Sequence, residues 1–95
     1  MKKCKFYSLI MGEEHQPIAK EWNGYTDTYF NYYKNEVGQW FAIEPSIGLS
    51  VAQANTRKEA QHKATMPPMF KKIKDAITQD MITHFNNLVM EAQCL

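Results

Sequence analysis

Gly38 to Ala64, GQWFAIEPSIGLSVAQANTRKEAQHKA, constrains the fold more than any other stretch. Gln39–Glu44 is short and rich in β-favouring residues (Trp40, Phe41, Ile43), which predicts a strand. Pro45-Ser46-Ile47-Gly48 predicts the turn that follows, because proline presets φ and glycine accepts a positive one. Leu49–Ala54 alternates Leu49 and Val51 with Ser50 and Ala52, the period of a second strand. Thr56 and Glu59 then have the spacing of a reciprocal capping box, in which each side chain reaches the other residue's amide. A hairpin feeding a helix is expected.

Upstream, Lys5–Met11 predicts a strand and Thr28–Tyr33 another, joined to the hairpin by a turn at Lys34–Gly38. The result is a meander over 28–34, 39–44 and 49–54. Between these, Pro17 either opens a helical turn through Trp22 or begins an extended arm, and Asn23-Gly24 is a turn signal. Downstream, a short helix over about Arg57–Thr65 offers only Ala60 and Ala64 as apolar residues, and Met66-Pro67-Pro68 ends it. From Pro67 to Ala92, Phe70, Ile73, Ile77, Met81, Phe85, Leu88 and Ala92 recur every three or four positions. That predicts a single amphipathic helix about 39 Å long. It is longer than a small sheet needs, so its surplus apolar face points to a homodimer. The expected class is α+β, an antiparallel sheet of three to four strands with a short capped helix and a long C-terminal one, in a single domain over 1–95.

The composition, 44% hydrophobic and 22% charged, is that of an ordinary globular chain. No apolar run approaches the roughly 20 residues of a membrane span, and Lys2, Lys3 and Lys5 precede too short an apolar patch for a secretory leader. Cys4 and Cys94 read as free thiols, and a cytoplasmic protein without membrane contact is expected. The net charge of +1 hides a polarity: residues 12–44 sum to −4 and residues 57–74 to +5.

His15, His62 and His84 lack metal-ligand spacing, and no phosphate loop, nucleophile elbow or paired-carboxylate pattern occurs. The expectation is therefore a non-enzyme with no catalytic residue, metal or cofactor. Two features remain as binding candidates. Tyr25, Tyr29, Phe30, Tyr32, Tyr33, Trp40 and Phe41 form an aromatic patch denser than one core requires. Alternation puts Tyr29 and Tyr33 on one face and Phe30 and Tyr32 on the other. One face is core; the other either lies under another segment or anchors a partner through Tyr29, Tyr32, Tyr33 and Trp40. Arg57, Lys58, Lys63, Lys71, Lys72 and Lys74 make up the second candidate, either a phosphate grip or a solvated face.

Gly38, Trp40, Pro45, Gly48, Thr56, Glu59 and Ala60 occur in the order that marks the HicB antitoxin family, so residues 29–64 resemble it. Ser46 stands where the family usually has Asp, and Ala54-Asn55 where it usually has Gly. The resemblance implies a three-stranded sheet with a packed helix, in a partial ribonuclease-H-like layout. It also implies a sheet that binds and neutralises a small ribonuclease toxin. The DNA-binding terminal segment of that family has no counterpart here. The strand–strand–helix order and basic helix start are more weakly similar to double-stranded RNA-binding domains. The leading expectation is a protein-binding regulator or inhibitor, antitoxin-like or an anti-CRISPR-like phage or mobile-element inhibitor, with a nuclease as the favoured partner. The alternative is nucleic-acid binding through the basic segment 57–74.

Overall fold

Two adjacent strands of ten residues dominate the computed structural model, which describes residues 1–94. β1 (Lys2–Met11) and β2 (Pro17–Thr26) pair antiparallel along their whole length, with Phe6 opposite Trp22 and Leu9 opposite Ala19. This decides one open sequence expectation, in favour of the extended arm, and corrects another. Pro17 opens a strand, a place where its missing N–H does no harm. Asn23-Gly24 lies inside the same strand instead of turning it. Glycine is needed there for close approach: a Cβ on Gly24 would sit 2.1 Å from the Tyr32 carbonyl oxygen and 2.7 Å from the Phe6 ring. The turn between the strands is Gly12–Gln16, where Glu14 and His15 hold positive φ and the Gly12 amide donates to the Gln16 carbonyl.

β3 (Asn31–Lys34), β4 (Trp40–Ile43) and β5 (Ser50–Ala54) complete a five-stranded antiparallel sheet in sequential order. The expected meander is present, with two further strands before it. Gly48 takes the positive φ that the turn after β4 requires, and its amide bonds to the Glu44 carbonyl. The Leu9 amide of β1 donates to the Gly48 carbonyl. Flat neighbours would keep β1 and β4 about 14 Å apart, so the sheet curls until its first strand meets the β4–β5 turn.

α1 (Arg57–Thr65) begins where expected, with the Thr56 hydroxyl accepting from the Glu59 amide at 3.1 Å. Ala60 and Ala64, one turn apart, are completely buried on Phe30, Tyr32, Ala42 and Ala54. Their small side chains let the helix axis come close to the sheet, and Phe70 and Ile73 pack at the edge of that core. On the other sheet face, Phe6, Tyr33 and Ile43 form a second cluster with Trp22 and Phe41.

The long C-terminal helix is in fact two. α2 (Pro67–Asp75) stops at Ala76, and α3 (Gln79–Gln93) restarts after Thr78, whose hydroxyl accepts from the Met81 amide. The surplus length behind the expected dimer is therefore absent. α3 has β2 as its main neighbour and buries Phe85, whose ring lies against Gly48. Cys4 and Cys94 are both free, and no described helix is long and apolar enough to cross a membrane.

Candidate binding surface

The loop from β2 to β3 is built around Asp27. One carboxylate oxygen accepts from the backbone amides of Tyr29 (2.9 Å) and Phe30 (2.8 Å). The other accepts from the Tyr32 hydroxyl (2.7 Å) and from Nε2 of Gln61 on α1 (2.9 Å). Burial raises the Asp27 carboxyl, but these four donors outweigh it and hold the group below its usual range. Tyr32 responds in the opposite sense: burial and the adjacent carboxylate push its hydroxyl far upward. The neighbouring Thr28 is held at φ 76°, a left-handed conformation unusual for a β-branched residue. The hub thus fixes a strained loop to the sheet and to α1, and presents Tyr29 outward. Tyr29 is 55% exposed and meets the edge of Phe70 at a ring separation of 5.4 Å. Beside it runs a groove of about 530 Å³, lined by Asp27, Tyr29, Gln61, Thr65, Pro67 and Phe70.

Glu44, at the end of β4, is buried to 1% exposure. It accepts from the Ser46 amide and hydroxyl and pairs with Lys74 of α2. Burial raises this carboxyl too, and the Lys74 and Ser46 donors bring it below the ordinary range. The Lys74 ammonium also lies 4.6 Å from the Phe30 ring centre and donates to the Tyr29 carbonyl. One cation therefore ties α2 to the core and to the loop that carries the groove.

A separate cluster sits at the start of α1. The Arg57 guanidinium lies 4.3 Å over the Tyr25 ring and 5.9 Å from that of Trp40. Tyr25 and Trp40 are 6.2 Å apart, and the Lys34 ammonium is 6.0 Å from Trp40. Lys3 is opposite Tyr25 in the β1–β2 register, so it emerges on the same face.

The four predicted aromatic anchors are dispersed. Tyr29 is at the groove and Trp40, half-buried, in the cation cluster. Tyr32 and Tyr33 cannot meet a partner in this fold, since they are 0% and 7% exposed. They occupy the central strand, where both faces are covered. Tyr32 lies under α1, and Tyr33 is stacked between Trp22 at 3.9 Å and Phe41 at 5.2 Å. The predicted basic cluster is also divided. Lys63 donates to the Gln53 carbonyl, Lys71 pairs with Asp75, Lys74 serves Glu44 and the Phe30 ring, and Arg57 joins Tyr25 and Trp40. Lys58 and Lys72 are exposed on α1 and α2. Sequence reasoning missed Asp27 and Gln61. The Asp-x-x-Phe spacing after a strand could have signalled the Asx-type loop; nothing local signals Gln61. His15, His62 and His84 lie on three different elements. Comparison with protein-family models, curated proteins and solved structures returns no match.

Proposed function

We propose that this chain is a non-enzymatic protein-binding regulator that holds or inhibits a larger partner through the groove beside Tyr29. The observation that carries this reading is an exposed aromatic ring on a loop already locked by Asp27 and braced on Phe70. An ordered side chain loses little conformational freedom on docking, and tyrosine is enriched among the anchors that dominate interface energies. Gln61 and Thr65 give the groove a polar wall, while Pro67 and Phe70 give it an apolar one. A nuclease or nuclease complex is the favoured partner, on the HicB-like order of residues within 29–64. A phage or mobile-element inhibitor of a defence nuclease would use the same surface, and the cytoplasm is the setting this implies.

The test is capture from host lysate on the immobilised full chain, with and without nuclease digestion, beside the variants Tyr29→Ala and Thr65→Arg. The first removes the anchor and the second obstructs the groove. A protein retained after digestion by the parent chain and lost by both variants is expected. Retention by the variants at the parent level, or no digestion-resistant partner, would overturn the reading.

A further inference from the structure

We propose that the cation–aromatic face at the start of α1, formed by Tyr25, Trp40, Arg57, Lys3, Lys5 and Lys34, binds single-stranded nucleic acid. This site is distinct from the groove. Arg57 and Thr65 lie at opposite ends of α1, about 12 Å apart along its axis.

Strand register brings the cations together. Lys3 is opposite Tyr25 and Lys5 opposite Asn23, so the two lysines rise on the face that carries Tyr25. Lys34 is opposite Trp40, and that pair rises on the same face as Tyr32, under α1. Four cations therefore surround two aromatic rings 6.2 Å apart. The two ion pairs among the described residues are Lys71–Asp75 and Lys74–Glu44, so none of these four cations is neutralised by a carboxylate. The cations of α1 and α2 differ in this respect: Lys63, Lys71 and Lys74 already have partners within the chain. Glu21 and Glu36 are at the rim, two residues beyond Asn23 on β2 and in the β3–β4 turn.

The chemistry of the occupant follows from the mixture. A purely ionic surface would take any anion. Tyr25 and Trp40 are half-buried, not covered, and their rings are tilted at 45° to each other with the Arg57 guanidinium 4.3 Å from the Tyr25 centroid, so each ring keeps π-surface beside a cation. Flat π-surfaces stack on bases, and bases offer their faces only when they are unpaired. The surrounding lysines match the phosphates on either side. A duplex would meet only the charge, and a protein partner would need an acidic, aromatic-seeking surface. A single strand satisfies both halves of the site.

Fluorescence anisotropy of the full chain with labelled oligo(dT) and oligo(U) of about 15 nucleotides tests this at about 50 mM salt. Binding to at least one strand is expected, together with weaker binding to the matching duplex. Arg57→Gln and Lys34→Gln should each weaken it by about three- to tenfold and flatten the salt dependence, by about 0.7 in log–log slope for each phosphate no longer neutralised. Trp40→Ala should cost about tenfold or more. That variant also thins the core, so the decision rests on the exposed Lys34 and on Arg57, with unchanged circular dichroism as the control. Tyr29→Ala should leave binding as it was, which separates this site from the groove. Failure to bind either strand, equal affinity for the duplex, or indifference to Arg57→Gln and Lys34→Gln would each overturn the proposal.

Discussion

Two carboxylates, Asp27 half-buried and Glu44 buried, do different work from what their charge suggests. Asp27 and Glu44 are acceptors around which separate segments are gathered: the β2–β3 loop, Tyr32 and α1 for the first, the β4–β5 turn and α2 for the second. Both are depressed in the folded chain, because donors outweigh the effect of burial. The unfolded carboxylates titrate near about pH 4. Above that value both states hold these groups ionised, and the full stabilisation is present. As pH falls through the depressed folded values, the native carboxylates must take up protons and the contribution is lost. Lys74→Ala removes the cation from Glu44 and leaves a buried charge with only Ser46 to satisfy it. A loss of about 3 kcal/mol is expected near pH 7, narrowing as acid protonates Glu44 in the variant. Denaturant melts from about pH 7 down to about pH 4 would show this, and a difference that stayed constant with pH would refute it. Neither hub was legible as such in the sequence. Asp27 and Glu44 are single acidic residues among turn-forming neighbours, and their donors Gln61 and Lys74 come from 34 and 30 positions away.

Local chemistry decided which elements were legible. The β4–β5 turn and the start of α1 rest on interactions spanning a few residues, and both appear where proline, glycine and the Thr56 cap indicate. The β1–β2 pairing does not. Asn23-Gly24 is a strong local turn signal, yet ten paired positions outweigh it, and the glycine serves the approach of the Tyr32 backbone. The break between α2 and α3 is hidden for another reason. Hydrophobic spacing of three or four runs through Ala76, Ile77 and Thr78 without a gap, so periodicity sees one helix. What marks the break is a cap, Thr78 followed by Asp80, which puts an acceptor and a negative charge at a new N-terminus. Thr78→Ala should therefore destabilise the chain by about 1 kcal/mol. Thr78→Ser, which keeps the acceptor, should stay close to the parent. Thermal melts of the two variants check this; equal losses would mean that the β-branched shape, not the cap, matters.

Curling of the sheet assigns different tasks to its two sides and to α3. Tyr32 and Tyr33 are adjacent in sequence, yet one is sealed by α1 and the other by rings from β1, β2 and β4, so the aromatic patch becomes two cores. The sequence density of aromatic residues was real, but its division between faces depends on covering segments that no local window contains. α3 stands outside both cores. Its principal neighbour is β2, near the end of the long hairpin, and Phe85 on Gly48 is its one buried residue. A helix held at one ring and one strand should open without unfolding the sheet. In hydrogen exchange, amides of α3 are expected to exchange through a partial opening, well before those of β3 and β4. Phe85→Ala removes the ring that seats the helix, and large aromatic truncations in cores cost about 3–5 kcal/mol. If α3 is a separate cooperative unit, that loss appears mainly as faster exchange across Gln79–Gln93, with the β3–β4 amides still protected and the Tyr29 groove intact. Equal acceleration in β3 and β4 would instead make α3 part of the global unit, with the Gly48 turn transmitting its loss to the sheet.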